Sequence, residues 1–314
     1  MKSFFITGGA GFIGSHVCET IANQYPQAKI YVLDKITYAG NIKFLEKLIK
    51  SKKIFFIKSD LLEKDKYIKF LKNIDCAINV AAESHVDNSF WNSIEFTKTN
   101  VLGTQIFIQS CLDSNVKKII HCSTDEVYGD IIKGHSKETD KLNPTNPYSA
   151  SKAAAEMIIN SYKFVYNKNI IILRANNIYG TRQFPEKLIP VCIKSLMQNK
   201  KIPLHGNGKN VRHYISVNDF CRGLNFVIKK CNKGIYNIGS KEKFTNLEVA
   251  QKISQLFNKK NTIKFVKNRP FNDTRYSITS QKIKKLGWKT KDTLFKQLPI
   301  IIDWYKKNFK LFKI

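Results

Sequence analysis

Two adjacent carboxylates, Asp125 and Glu126, stand in the sequence Ser-Thr-Asp-Glu-Val-Tyr-Gly at 123–129, directly after an apolar run. Two carboxyls whose surroundings push their pKa values apart can supply one acid and one base to the same substrate. That pairing suits the elimination of water, in which a leaving hydroxyl gains a proton while a neighbouring carbon loses one. A simple oxidation needs neither group. The alternative is a solvated acidic loop, but such loops seldom follow a buried strand with Ser-Thr immediately before the acids.

A tyrosine and a lysine, Tyr148 and Lys152, stand four residues apart and share one face of a predicted helix that Asn146-Pro147 starts. An ammonium beside a phenol favours the phenolate and lowers a pKa that is ordinarily ~10. The tyrosine would then be a base able to take a proton from a sugar hydroxyl. A pair of this kind is common on exposed helices, so its weight comes from its place in the fold.

A glycine loop at 7–14, Thr-Gly-Gly-Ala-Gly-Phe-Ile-Gly, follows the first predicted strand. Glycines let the backbone turn tightly and approach a pyrophosphate at a helix N-terminus. Asp34 ends the next predicted strand, about twenty residues beyond the loop, where an acid binds the adenosine ribose of NAD and repels the 2′-phosphate of NADP. The residues expected to bind NAD are Gly8, Gly11, Phe12, Ile13, Gly14, Asp34, Asp60, Leu61, Ala81, Ala82, Ser84, Thr99, Tyr148 and Lys152.

Six near-continuous apolar runs indicate strands of a parallel sheet buried on both faces. They lie at 4–6, 30–33, 54–57, 77–80, 119–122 and 170–173, and amphipathic stretches between them are long enough for crossover helices. This alternation predicts an α/β fold with a doubly wound parallel sheet over residues 1–178. Residues 179–314 change to turns, prolines and mixed segments, which predicts a smaller, mixed α/β substrate-binding region. Segments such as 217–228 are expected to return to the main sheet.

Composition narrows the class of protein. The chain has 314 residues and a formal charge of +29, from 53 Lys and Arg against 24 Asp and Glu. Such a charge attracts anions, but the lysines are spread out, so we expect a nucleotide as partner and no nucleic acid. Seven cysteines without metal-ligand spacing predict no metal site and no disulfide framework, as in a reducing cytoplasm. No apolar run is long enough for a membrane helix, and we read no targeting segment.

Taken together, the motifs resemble the nucleotide-sugar 4,6-dehydratases of the extended short-chain dehydrogenase/reductase family. They are the glycine loop, Ala-Ala-Glu-Ser-His-Val-Asp at 81–87, the stretch 123–129, the Tyr148/Lys152 pair, Phe-Pro-Glu-Lys-Leu-Ile-Pro at 184–190 and Asn-Val-Arg at 210–212. The resemblance implies a Rossmann domain with permanently bound NAD and conversion of a nucleoside diphosphate glucose into its 4-keto-6-deoxy derivative. The catalytic residues it implies are Thr124, Asp125, Glu126, Tyr148 and Lys152.

The resemblance also implies a set of substrate contacts. These are Ser84, Thr124, Asn177, Lys187, Leu188, Pro203, His205, Arg212, Asn237, Arg269, Asn272 and Tyr276. Arginine and lysine suit a diphosphate, and residues 203–205 would lie along the nucleobase. The sequences at 85–90 and 269–273 are similar to UDP-glucose 4,6-dehydratases, which favours UDP-glucose over dTDP-glucose. One thymine methyl gives only ~1 to 3 kcal/mol of discrimination in an apolar pocket.

Three alternatives share parts of this pattern. A 4-epimerase would keep the fold, NAD and Tyr148/Lys152 but has no use for the acidic pair, and related decarboxylases typically have serine in place of Asp125. A non-catalytic NAD- or RNA-binding protein would use the basic surface, but no basic stripe or RNA module is recognisable. Relatives commonly form homodimers through two helices, which here would cover about 92–112 and 150–166. Core packing explains the apolar stripe of the second helix equally well.

Overall fold

The protein is described by a computed structural model that covers residues 1–131, 133–166, 168–268 and 275–312. The strands are β1 Ser3–Thr7, β2 Lys29–Asp34, β3 Phe55–Lys58, β4 Cys76–Asn79, β5 Lys118–Thr124, β6 Asn169–Ala175, β7 Asn177–Tyr179, β8 Ile202–His205, β9 Val211–Ser216, β10 Gly234–Ile238, β11 Lys243–Thr245 and β12 Ile263–Val266. The α-helices are α1 Phe12–Gln24, α2 Glu46–Lys50, α3 Lys64–Tyr67, α4 Val86–Trp91, α5 Ser93–Phe96, α6 Thr104–Asp113, α7 Pro147–Val165, α8 Leu188–Met197, α9 Val217–Lys230, α10 Asn246–Leu256, α11 Gln281–Lys285 and α12 Leu294–Asn308.

Seven parallel strands form the main sheet in the order β10-β6-β5-β4-β1-β2-β3. The predicted doubly wound sheet is therefore confirmed, and each of the six apolar runs forms one of its strands. The seventh strand, β10, was not foreseen. It comes from the second half of the chain and pairs with β6, so residues beyond 178 complete the sheet.

Helices cover both faces of this sheet because alternate residues of each strand point to opposite sides. On one side, Phe4 and Ile6 pack with residues of α1 and α9. On the other side, Phe5 packs with α6 and with Ile159 of α7. Among the described residues, no helix is long and apolar enough to cross a membrane.

A second, smaller unit lies beyond the carboxyl ends of the strands. It combines the three-stranded sheet β11-β9-β7, the pair β12-β8 and helices α8, α10 and α12, which share a separate apolar core. This is the mixed α/β composition that the sequence predicted for the region after residue 178. Helix α9 packs on the main sheet and β10 is one of its strands, so the chain passes between the two units more than once.

The segment Thr97–Gly103 between α5 and α6 is a π-helix. Its backbone hydrogen bonds join residues five apart, one more than in an α-helix. Asn100 lies within it and is fully buried. Its side chain binds both the N–H and the carbonyl of Glu83, at 2.8 and 2.9 Å, and the hydroxyl of Ser151 at 2.9 Å. The π-helix therefore ties the loop after β4 to the start of α7.

Candidate active site

One cleft of about 720 Å³ opens where the carboxyl ends of the sheet strands face the smaller unit. Ligands bind at this edge in open parallel sheets. It brings together residues that lie far apart in the sequence. The predicted site residues that line it are Gly8, Gly11, Phe12, Ile13, Gly14, Asp34, Asp60, Leu61, Ala81, Ala82, Ser84, Thr99, Thr124, Asp125, Glu126, Tyr148, Lys152, Asn177, Lys187, Leu188, Pro203, His205, Arg212 and Tyr276.

Of the described residues predicted to bind substrate, Asn237 is the one that is not part of this lining. Arg269 and Asn272 lie outside the described residues. Asn237 is fully buried on β10, where it accepts a hydrogen bond from the Tyr128 hydroxyl at 2.9 Å and donates one to the Ser136 carbonyl at 3.2 Å. In this structure Asn237 contacts Tyr128, which ends the turn that carries Asp125 and Glu126. This buried position does not match the expected direct contact with substrate.

The glycine loop allows β1, α1 and β4 to approach one another closely. Gly8 has a φ of +69°, and a Cβ there would lie 2.6 Å from the Cα of Ala81. A Cβ on Gly14 would lie 1.9 Å from the carbonyl oxygen of Gly8. Among the described residues, no side chain caps the N-terminus of α1, and its first residues, Phe12–Gly14, line the cleft, where the N-terminus of a helix favours an anion. The loop thus has the room and the donors that a pyrophosphate needs.

Asp34 is held at the end of β2 with its carboxylate already bound. It accepts hydrogen bonds from the N–H of Ala10 at 2.9 Å and from the N–H of Ile36 at 2.7 Å. Burial raises its pKa, and these hydrogen bonds oppose the rise. Ile36 adopts a φ of 55°, a strained conformation for a β-branched residue. This fixed acid fits the ribose hydroxyls of NAD and would repel the extra phosphate of NADP.

The two adjacent carboxylates occupy different surroundings, as the prediction requires. They lie in a 3₁₀ turn, Asp125–Tyr128, whose N-cap Thr124 accepts a hydrogen bond from the Glu126 N–H at 3.2 Å. Burial raises the pKa of Asp125 to about 7, and the Glu126 charge adds to the rise. Glu126 is only half-buried and accepts a bond from the Asn146 amide at 3.3 Å. Asp125 is therefore suited to carry a proton near neutral pH, with Glu126 as the adjacent base.

A buried ion pair anchors this turn from both ends. The Arg174 guanidinium lies 2.6 Å from the Glu156 carboxylate, and their side chains are 2% and 0% exposed. Arg174 also donates to the Tyr128 hydroxyl at 2.6 Å, and the Ser123 hydroxyl donates to Glu156 at 2.5 Å. Since Ser123 and Tyr128 flank the two carboxylates, the pair fixes the backbone that carries them.

Tyr148 and Lys152 both reach the cleft, but the expected lowering of the phenol pKa is wrong for this structure. Burial raises the pKa of Tyr148, the Glu126 charge adds to it, and a hydrogen bond from Thr124 only partly opposes the rise. The Lys152 ammonium instead donates to the Cys122 carbonyl at 2.7 Å and lies 3.3 Å from His121 Nε2. Burial lowers the pKa of Lys152 to about 8.

Cationic side chains from the smaller unit line the far side of the cleft. The Arg212 guanidinium lies over the Tyr276 ring at 5.0 Å, and the Lys187 ammonium donates to the Ser84 carbonyl at 2.7 Å. Two flexible cations facing a glycine-lined cleft suit a diphosphate. Beside them, Pro203 and His205 line the wall along β8.

Several lining residues were missed by the sequence analysis. Lys35 pairs with Asp60 at 3.3 Å, and Asn176 donates to the Asp125 carboxylate at 2.8 Å. Asn246, which begins α10, joins the wall formed by residues 203–205. Lys35 and Asn176 each neighbour a predicted residue at a strand end, so the rule that parallel strand ends converge could have found them.

A sequence profile of the GDP-mannose 4,6 dehydratase family matches residues 5–299 of the chain. The chain belongs to this family of nucleotide-sugar 4,6-dehydratases, within the extended short-chain dehydrogenases/reductases. Its fold agrees: a solved dTDP-glucose 4,6-dehydratase from Streptomyces venezuelae with NAD bound is 36% identical, with a TM-score of 0.96 over 99% of each chain.

Two curated relatives differ in the nucleotide they use. A trifunctional UDP-glucose 4,6-dehydratase, UDP-4-keto-6-deoxy-D-glucose 3,5-epimerase and UDP-4-keto-L-rhamnose-reductase of Arabidopsis thaliana is 43% identical over 98% of this chain. The chain spans about half of that relative, 47% of its length. A dTDP-D-glucose 4,6-dehydratase of Dictyostelium discoideum is 38% identical over 98% of this chain and 82% of its own.

Proposed function

We propose that the protein is an NAD-dependent 4,6-dehydratase that converts UDP-glucose into UDP-4-keto-6-deoxyglucose and water, a first step toward a deoxysugar such as rhamnose. The observation that carries the proposal is the unequal acidic pair: Asp125 is buried with its pKa raised to about 7, beside the half-buried Glu126. Tyr148 and the glycine loop open into the same cleft. An oxidoreductase or epimerase of this fold needs the tyrosine and the glycine loop but has no use for the acidic pair.

The chain's own groups account for the proton movements. NAD, held by the glycine loop and Asp34, would supply an acceptor for the C4 hydride and a donor for the later reduction of C6. The Tyr148 oxygen, with Thr124 hydrogen-bonded to it, would take the proton of the C4 hydroxyl as the ketone forms, and it must be a phenolate to do so. Because burial raises the pKa of Tyr148 in the empty cleft, the phenol has to lose its own proton first, which the positive charge of a bound nicotinamide ring would favour. The C4 ketone acidifies the C5 hydrogen, which Glu126 removes as a proton. Asp125 gives its proton to the C6 hydroxyl, the C6–O bond breaks, water leaves, and a C5–C6 double bond forms. Glu126 then returns its proton to C5 as C6 is reduced, and the proton left on Tyr148 balances the one that Asp125 gave up.

Different parts of the cleft bind the cofactor and the substrate. Gly8, Gly14 and Asp34 fit the dinucleotide, whereas Arg212 and Lys187 fit the sugar diphosphate. Excess positive charge over the whole molecule, +29, favours the encounter with both polyanions. The Asn177 amide lines the same cleft and adds a hydrogen-bond donor; its nitrogen lies 3.4 Å from the His213 carbonyl oxygen.

UDP-glucose is preferred in the proposal because of the sequence at 85–90 and the 43% identity to the trifunctional plant enzyme. The solved Streptomyces venezuelae relative, at 36% identity, is a dTDP-glucose enzyme, so the two bases must be compared directly. The test is to give the purified protein UDP-glucose and dTDP-glucose separately, without added NAD, and to follow products by NMR. A 4-keto-6-deoxy sugar made with higher kcat/KM from UDP-glucose supports the proposal. Preference for dTDP-glucose overturns the base, and a 4-epimer as product overturns the reaction.

A homodimer is the second part of the proposal. The strongly exposed apolar residues include Trp91, Ile94, Leu102, Met157 and Val165, on the segments 86–113 and α7. Two members of the apolar stripe on α7 face solvent, since Met157 is 61% and Val165 is 76% exposed, whereas Ala154 and Ile158 are half-buried. These helices pack against each other, so the exposed residues share one side of the molecule. A second copy of the same surface would bury them.

The proposed compartment is a reducing cytoplasm. All seven cysteines are free, and all but Cys122 are buried. Unpaired, buried thiols are typical of proteins that fold where disulfides do not persist. Fluorescence microscopy of the tagged protein in its own cells checks this assignment, and retention in a secretory compartment would contradict it.

A further inference from the structure

Asn176, between β6 and β7, is a buried amide in direct contact with the proposed acid. It is 3% exposed and its amide nitrogen donates to Asp125 Oδ2 at 2.8 Å. Its amide oxygen accepts the N–H of Ser240 at 3.2 Å. Neither the motifs nor the chemistry assigned to the cleft gives this residue a role.

The surroundings decide which way the amide points. A backbone N–H can only donate, so the Ser240 N–H must face the oxygen of Asn176, and the NH₂ group must face Asp125. The contact is close because Gly239 has no side chain: a Cβ there would lie 2.1 Å from Asn176 Oδ1. The Ser280 hydroxyl binds both the N–H and the carbonyl of Gly239, at 2.8 and 3.2 Å, and so holds this loop in place.

The orientation of the amide fixes the proton on the acid. The NH₂ group that faces Asp125 Oδ2 can only donate, whereas the Thr124 hydroxyl that faces Oδ1 can either donate or accept, so the proton of a neutral Asp125 is accommodated on Oδ1. Asp125 Oδ1 lies 3.4 Å from the Thr124 hydroxyl, which is itself hydrogen-bonded to Tyr148. Oδ1 is therefore the oxygen on the side where the sugar reacts.

We propose that Asn176 is a positioning residue that keeps the proton of Asp125 on Oδ1, directed at the leaving C6 hydroxyl, and so serves the elimination step but not the oxidation step. The inference rests on the proposed function. The backbone of the 239–240 loop, which touches no reacting atom, sets this orientation through Asn176.

Asn176 also affects how readily Asp125 ionises. Its N–H bond favours the carboxylate and limits the rise of the Asp125 pKa that burial causes. Two other groups act on this carboxyl: Glu126 in the same turn raises its pKa, and Arg212 from β9 lowers it. Tyr148 of α7 also faces it. Loss of the Asn176 donor should raise the Asp125 pKa further, so the acid would stay protonated to higher pH.

The test compares Asn176→Asp and Asn176→Ala with wild type in single turnovers of the NAD-loaded protein with UDP-glucose and dTDP-glucose. Asn176→Asp keeps an oxygen for the Ser240 N–H but loses the donor, and Asn176→Ala loses both contacts. Absorbance of the reduced nicotinamide reports oxidation, and NMR of quenched samples reports elimination. Asn225→Ala is the matched control, because this amide bonds to Tyr25 and Gln24 and to neither Asp125 nor the 239–240 loop.

We expect oxidation to stay near the wild-type rate in both Asn176 variants while elimination slows at least about tenfold, part of the ~10²–10⁴ that general acid catalysis contributes. Reduced nicotinamide and the 4-keto glucose nucleotide then accumulate, and the high-pH limb of elimination moves upward in Asn176→Ala. Equal slowing of both steps, an unmoved limb, or the same imbalance in Asn225→Ala would overturn the proposal. A wild-type protein that makes no 4-keto-6-deoxy sugar would overturn the proposed function itself, and this inference with it.

Discussion

Replacing Glu156 by glutamine should destabilise the protein far more than the same change on its surface. Glu156 is 0% exposed, and its cationic partner at 2.6 Å, Arg174, is 2% exposed. Removing one member of a buried pair leaves the other charge uncompensated in a medium that solvates it poorly, which costs about 3–5 kcal/mol. Glutamine keeps the shape and can still accept hydrogen bonds, so the lower end of that range, about 3 kcal/mol, is expected for Glu156→Gln.

The matched control is Glu95→Gln. Glu95 pairs with Lys98 at 2.9 Å, but the two side chains are 44% and 52% exposed, so water screens the charges. Exposed pairs contribute about 0.2–1 kcal/mol. Urea unfolding followed by circular dichroism measures both variants, and the melting temperature of Glu156→Gln should fall by on the order of 10 °C. Equal, small losses in the two variants would refute the argument that burial makes this pair matter.

Three further predictions concern the cleft and the surface. If Asp125 is the acid, elimination should fall about tenfold per pH unit above about 7, and Asp125→Asn should lose both this limb and the elimination step in stopped-flow assays. The folded-state pKa of Asp125 is raised above its unfolded value, so its ionisation costs stability as pH rises, and Asp125→Asn should melt at a higher temperature at pH 8; a lower one contradicts this. Gly14→Ala should purify without NAD, measured by chromatography of the denatured protein, because its Cβ would lie 1.9 Å from a backbone oxygen; full NAD content would rule the steric argument out. Met157→Glu should convert the proposed dimer into a monomer in analytical ultracentrifugation, whereas Ile300→Glu, at a position on α12 that is 59% exposed, leaves assembly unchanged. A dimeric Met157→Glu protein contradicts the proposed interface.

Local sequence patterns predicted the main sheet well because each of its first six strands is an apolar run between turns. The seventh, β10, has the sequence Gly-Ile-Tyr-Asn-Ile, which is not a continuous apolar run, and its place beside β6 depends on a crossover that no local pattern reports. Whether the apolar stripe of α7 faces the sheet or solvent also could not be predicted from a local pattern. Periodicity shows that Met157 and Val165 share a face but not whether that face meets the sheet or solvent.

Site residues divide along similar lines. Gly14, Asp34 and Asp125 were predicted because their roles follow from residue type and from position after a strand. Asn176 was not, since its importance comes from a contact with a carboxylate on another strand. The phenol pKa of Tyr148 was predicted in the wrong direction because spacing alone placed Lys152 beside it, whereas tertiary contacts draw the ammonium to the Cys122 carbonyl.

The π-helix at Thr97–Gly103 behaves like a one-residue insertion kept within a helix. Each α-helical residue turns the chain by about 100°, so deleting one residue here would restore regular α-helical winding and rotate everything on one side by that angle. Asn100 would then leave the loop at Glu83, or α6 would present a different face to the sheet. The length of this segment is therefore as constrained as its composition, and insertions or deletions should be tolerated less there than in the surface loops.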